Sequence, residues 1–134
     1  NVTSYNRKVL LTGEAPDQQD KERVAEIAKL TDNLTSVWNE VGVTAITTLT
    51  ERTNDLVTAG RIKADLIDAK DLFSNAYKVV VERGTVYVMG RITARESKRV
   101  ASVISGVTGV KKVVLVHETI TEEELANLMA KPAN

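Results

Sequence analysis

Cysteine is absent, which excludes disulfides, thiol nucleophiles and cysteine-ligated metals while leaving the redox compartment open. Aromatic residues are nearly absent as well: one Trp, one Phe and three Tyr, so a core must be built from Val, Ile, Leu and Ala. An excess of either charge is missing, since 18 Lys and Arg face 18 Asp and Glu. There is thus no overall field to attract nucleic acid, although a local patch can still hold an anion. No run approaches the roughly 20 apolar residues of a membrane-spanning helix. The opening "NVTSYNRKVLLTG" reads as strand rather than as an apolar leader. What remains is a chain of 134 residues, 43% hydrophobic, enough for one ordinary domain or two very small ones.

The most informative feature is internal. "KVLLTGEAPDQQDKERVAEIAKLTDNLTSVWNEV" lies over "TVYVMGRITARESKRVASVISGVTGVKKVVLV" with one extra residue after Gly13. Gly13 then matches Gly90, Val24-Ala25 matches Val100-Ala101, Ile27 matches Val103 and Val37 matches Val113. In each copy two short apolar runs form a hairpin: Val2 to Asn6 with Lys8 to Thr12, and Tyr77 to Glu82 with Thr85 to Met89. Asn6-Arg7 and Arg83-Gly84 supply the turns, and Gly90 is expected to end the second strand of its hairpin.

A helix follows each hairpin. Pro16-Asp17 opens the first, with Val24, Ile27, Ala28 and Leu30 as its apolar stripe. Thr93 caps the second, with Glu96 completing a capping box and Val100, Val103, Ile104 and Val107 facing inward. Asn33 and Gly109 supply left-handed residues after the helices. A third strand closes each copy, Ser36 to Val43 and Lys111 to Ile120, crossing over the helix to reach its sheet. Trp38 on the first of these is expected in the core. Ahead of the second hairpin, Leu56, Ala59, Ile62, Leu66 and Ala69 recur at helical spacing and predict a helix over Asp55 to Ile67. The first copy has no counterpart, so its leading helix is expected to lie outside this sequence, or its sheet face to be covered by something else. "TAITTLTERT" reads as the linker. "TITEEELANLMAKPAN" carries a capping box from Thr121 to Glu124 and predicts a short helix burying Leu125, Leu128 and Met129 and stopped by Pro132.

The fold class is therefore α+β: two αββαβ units, the first without its leading helix, plus a C-terminal helix. The expected boundaries are 1–43, a linker at 44–53, 54–120, and a tail at 121–134.

Catalytic chemistry finds little support. Gly84 and Gly90 in "GTVYVMG" flank a strand, whereas a dinucleotide loop needs a glycine cluster leading into a helix N-terminus. "GVTG" at Gly106 to Gly109 matches the G-x-x-G of KH modules but sits between helix and strand, where a helix stop accounts for it. His117, the one histidine, reads as an ordinary strand residue, and no spacing suggests a metal site. No enzyme activity, cofactor or metal is expected. What is left is surface. Leu56 and Val57 near the start of the leading helix, Gly60, and then Arg61 and Lys63 combine apolar side chains with cations, as at an anionic membrane surface. Alternatively, Leu56 and Val57 pack inward while the charges simply solvate.

Two hairpins ending in apolar-x-Gly, each with a Val/Ala-striped helix and a closing strand, resemble the BON domain, found in tandem in bacterial envelope proteins. The residues that carry the resemblance are "KVLLTGEAPDQQDKERVAEIA" with "VWNEV", and "VVVERGTVYVMGRITARESKRVASVISGVTGVKKVV". The resemblance implies a periplasmic location, with the precursor tethered to the outer membrane by a lipidated cysteine. It further implies non-catalytic binding of anionic phospholipid and a role in envelope integrity. The contact falls on the leading helix of the second unit, hence the candidate residues Leu56, Val57, Gly60, Arg61 and Lys63. The rival expectation is an adaptor whose same helix, or whose third-strand edges, dock a periplasmic or outer-membrane protein. No nucleic acid is expected.

Overall fold

The computed structural model describes residues 1–72 and 76–130, the last three by backbone alone. The opening hairpin pairs β1 (Val2–Tyr5) with β2 (Lys8–Leu11). Its two-residue turn, Asn6-Arg7, holds φ of 48° and 62°, the left-handed pair that matches the twist of the flanking strands. After the short β3 (Glu14–Ala15), α1 runs over Gln18–Lys29, capped by the Asp17 carboxylate, which accepts the Asp20 N–H at 2.8 Å. The chain returns as β4 (Ser36–Asn39), parallel to β2, and β5 (Gly42–Val43), parallel to β3.

Helix α2 (Leu49–Asp68) leads into a second hairpin of β6 (Tyr77–Glu82) and β7 (Thr85–Thr93), turned at Arg83-Gly84 with φ of 49° and 78°. Then follow α3 (Ala94–Ser105), β8 (Lys112–Leu115) and β9 (Glu118–Ile120), both strands parallel to β7. Finally α4 (Glu122–Ala130) docks on β7 through the buried Leu125. The closing strands are parallel as the sequence leads one to expect, though each is split in two, β4 with β5 and β8 with β9, and the capping boxes at Thr93 and Thr121 are as expected. Leu128 and Met129 lie among the residues described by backbone alone, and Pro132 lies outside the described residues.

Side-chain parity fixes the layers. On β2, Val9 and Leu11 face α1 and pack with Ala15, Ala25 and Val41. On β7, Val86, Val88 and Ile92 face α2 and α3, packing with Ile62, Leu66, Val100 and Ile104. The residues between them turn the other way: Leu10 meets Tyr87, Met89 and Val116 in a third cluster, so the two sheets pack face to face. At the rim of that contact, Tyr5 Oη donates to the Ala76 carbonyl at 3.0 Å and Lys78 Nζ to the Ser4 carbonyl at 3.1 Å. Asn1 Nδ2 and Thr12 Oγ1 donate to Glu82 Oε1 at 2.5 and 3.1 Å.

Four expectations are corrected. In α1 the inward residues are Ala25 and Ala28, while Val24, Ile27 and Leu30 are exposed. The reason is that α1 packs chiefly on strands, whereas α3 has α2 alongside it to cover sideways-facing residues such as Val103. Trp38 shares the face of Leu10 but sits on edge strand β4, which leaves it 39% exposed rather than in the core. Strand β7 does not stop at Gly90 but continues to Thr93; the glycine is needed because a Cβ there would lie 2.5 Å from the Ala76 carbonyl oxygen. Lastly, α2 begins at Leu49 instead of Asp55, so the second half of the expected linker is helix.

Leu10 is fully buried between the sheets, so Leu10→Ala should cost about 2–5 kcal/mol in urea-induced unfolding. Tyr87 adds a pH dependence. Burial, then the nearby Glu40 and Glu82 carboxylates, push its phenol above the ordinary value of 10.0. The fold therefore favours the neutral phenol, and that stability is lost as pH rises through the raised value. Tyr87→Phe should move the alkaline unfolding midpoint upward.

Candidate functional site

Helix α2 carries every residue the sequence singles out for binding. Its start is set by Thr48 and Glu51: the Glu51 N–H donates to Thr48 Oγ1 at 3.2 Å, and the Thr48 N–H returns to Glu51 Oε2 at 2.8 Å. The Thr48 N–H and then the Thr48 hydroxyl, which donates to the same Glu51 Oε2 at 2.9 Å, hold the Glu51 carboxyl below its ordinary value.

The inner face of α2 is Asp55, Thr58, Ile62 and Leu66. Ile62 and Leu66 enter the apolar core. Thr58 packs against Gly109, where a Cβ would come within 2.6 Å of Thr58 Oγ1, so a glycine is required there for close approach as well as for its φ of 99°. Asp55 is buried, and its carboxylate accepts the Arg83 N–H at 2.7 Å and the Gly84 N–H at 3.1 Å. One side chain thus ties the helix to the tip of the second hairpin.

The outer face is unusual. At about 100° per residue, Leu49, Leu56, Gly60 and Ile67 fall within about 40° of one another, a line about 27 Å long on the side away from the core. Leu49 is 81% exposed, Leu56 75%, Ile67 59% and the flanking Val57 48%. Gly60 continues the line as an open notch, with nothing within 4 Å of an added Cβ. Arg52 and Lys63 lie along one flank with no acid between them. Arg61 lies on the other flank, where Asp65 and Asp68 also sit; all five are exposed. Contiguous apolar exposure of this kind makes the face the candidate contact surface.

The structure thus brings Leu56, Gly60 and Lys63 together on one strip and sets Val57 and Arg61 on its shoulder. Leu56 and Val57 do not pack inward. Sequence reasoning missed Leu49, Arg52 and Ile67. The signal that could have found the first two is the capping box Thr48-Leu49-Thr50-Glu51, absorbed into the expected linker.

Elsewhere, His117 lies in the bend between β8 and β9, its Nε2 3.1 Å from Ser97 Oγ. Its Nδ1 has no hydrogen-bond partner among the described residues, so no carboxylate orients the ring as a serine-activating base requires.

A small α+β module that offers one striped helix face is the class defined by this arrangement. The BON domain pattern matches residues 1–45 and 54–116, and the chain belongs to the BON domain family. Among curated relatives, it is 28% identical over 116 residues to the outer membrane lipoprotein DolP of Haemophilus influenzae. It is 29% identical over 116 residues to the 21 kDa hemolysin of Actinobacillus pleuropneumoniae. Each match takes in 87% of this chain but 60% of the relative's length. A solved structure of CdsD, titled a structural protein of the type III secretion system of Chlamydia trachomatis, aligns with 100% of this chain and 92% of its own. The TM-score is 0.44 and the identity 12%, too distant to inform the site.

Asp55→Ala strips the hairpin tip of its two N–H acceptors and should destabilise the protein by about 1–3 kcal/mol. Amide exchange at Gly84 should accelerate well beyond what the global loss explains.

Proposed function

We propose that the protein is a non-catalytic envelope component, at the periplasmic face of the outer membrane, which binds anionic phospholipid through the outer face of α2. The supporting observation is the exposed line Leu49, Leu56, Gly60 and Ile67, flanked by Arg52, Lys63 and Arg61. A relative named as an outer membrane lipoprotein supports the location. On this reading the chain is organised as two BON units, 1–43 and the segment from the start of α2 to residue 120, with 44–48 between them and 121–134 closing the chain. The full-length precursor is tethered to the outer membrane through a lipidated cysteine, and the bound state supports envelope integrity.

Energetically, the helix lies in the headgroup layer. Its aliphatic side chains enter the acyl boundary, contributing up to about 1.5–3 kcal/mol each on full burial. Each cation adds on the order of 1 kcal/mol near an anionic leaflet. Binding should therefore fall with added salt, which screens the cations and leaves the apolar part intact.

The test is co-sedimentation with phosphatidylglycerol and with phosphatidylcholine vesicles. Phosphatidylglycerol should pellet the protein and phosphatidylcholine should not. Lys63→Glu exchanges an attraction for a repulsion, about 2 kcal/mol, or roughly thirty-fold in partition. Leu56→Asp and Arg61→Glu should also weaken pelleting, with Ile27→Asp on the exposed side of α1 as the control. Equal, negligible pelleting with both lipids would sink the lipid reading and leave a protein-docking adaptor in its place.

A further inference from the structure

Strand β6 is an edge of the sheet ordered β6-β7-β8. It is six residues long, Tyr77-Lys78-Val79-Val80-Val81-Glu82, without proline, and its three valines are half-buried. Edges of that length and apolarity are normally covered or blunted, because their free N–H and C=O groups invite another strand. The two-residue turn makes Glu82 and Thr85 a hydrogen-bonded pair, so Glu82, Val80 and Lys78 bond inward to β7. Val79 and Val81 then direct their N–H and C=O outward, and no backbone group among the described residues bonds them there. Beside this edge, under α2, open two clefts of about 370 and 420 Å³, both lined by Ala59 and Val79.

The edge is complementary to itself. Antiparallel pairing with β6 of a second copy, centred on Val80, sets Val79 opposite Val81 and Lys78 opposite Glu82. The two residues with outward-facing backbone groups are thereby opposed, as a doubly bonded pair requires. Lys78 and Glu82 lie on one face of the sheet and meet with opposite sign, twice over by symmetry. Sliding the register by one residue opposes outward groups with inward ones. Sliding it by two, so that Val79 meets Val79, sets Lys78 against Val80 and removes both charge pairs. The neighbouring layer leaves this register open, because Lys78 reaches only the Ser4 carbonyl and Glu82 engages Asn1 and Thr12 through Oε1 alone.

We propose that the protein forms a symmetric dimer through β6, joining two four-stranded sheets into one continuous sheet. The two-fold axis is perpendicular to the sheet, so both α2 helices lie on the same side of the joined sheet and their apolar stripes share that side. The dimer does not depend on lipid, and its test contains none.

Analytical ultracentrifugation of the full chain should show a concentration-dependent shift from 14.6 kDa to twice that mass. In the same range the Val79 and Val81 amides should gain protection from hydrogen exchange, a measurement that needs no variant. Lys78→Glu alone or Glu82→Lys alone sets like charges opposite one another and should weaken association on the order of tenfold. Mixing the two single variants restores opposite signs at both positions and should give a heterodimer, and the double variant Lys78→Glu/Glu82→Lys should dimerise with itself. A monomer at every concentration, single variants that associate as tightly as wild type, or unprotected Val79 and Val81 amides in the dimer would overturn the assignment. Capture of an unrelated extended peptide by β6, without self-association, would overturn it too.

Discussion

Everything in this molecule is arranged around the contact of Leu10 with Tyr87, Met89 and Val116. Each sheet is too small to stand alone, since three or four short strands bury little with only one covered face. Packing the two sheets against each other uses one face of each and leaves the opposite faces to helices, α1 on one side and α2 with α3 on the other. That order of layers sends α2 to the outside of the molecule. Its inner residues are committed to the core and to the hairpin tip, and its outer residues face away from both. The exposure of Leu49, Leu56 and Ile67 is thus a consequence of where the helix sits. That line of exposed apolar side chains is the physical ground for reading the face as a contact surface.

The same contact explains which parts of the fold were legible in the sequence. Hairpins and caps are local: Arg83-Gly84 needs only its own backbone to turn, and Thr93 with Glu96 caps α3 from within one turn of helix. These could be read directly. One error was local, the Thr48-Glu51 capping box passed over inside the expected linker; the other three concern surroundings. Val24 and Ile27 have the spacing of a buried stripe, but burial depends on whether a second helix lies alongside, and α1 has none among its principal neighbours. Trp38 has the identity of a core residue and the position of an edge one. Gly90 has the look of a strand end, yet its role comes from the Ala76 carbonyl pressed against it, a contact set by pairing with β6.

The candidate surface was half legible. Leu56, Val57, Gly60, Arg61 and Lys63 could be named because apolar and basic residues alternate within three turns. Whether Leu56 faced in or out could not be read from the i, i+3 series Leu56-Ala59-Ile62, whose short steps run on into Leu66 and hide the wide angle between its ends. The structure separates them: Ile62 and Leu66 are buried while Leu56 and Ile67 are not. It also lengthens the face by a full turn and a half, adding Leu49 and Arg52. The flank occupied by Arg52 and Lys63 is free of acids, whereas Arg61 has Asp65 one turn on, so the electrostatic weight shifts toward Lys63.

Paramagnetic broadening by nitroxide-labelled phosphatidylglycerol in bicelles reads the orientation of α2 residue by residue. If the outer face of α2 enters the headgroup layer, amides of Leu49, Leu56, Gly60 and Ile67 should broaden most, with minima at Asp55, Ile62 and Leu66. Broadening that is uniform along α2, or that centres on the exposed residues of α1, would contradict membrane contact through this helix.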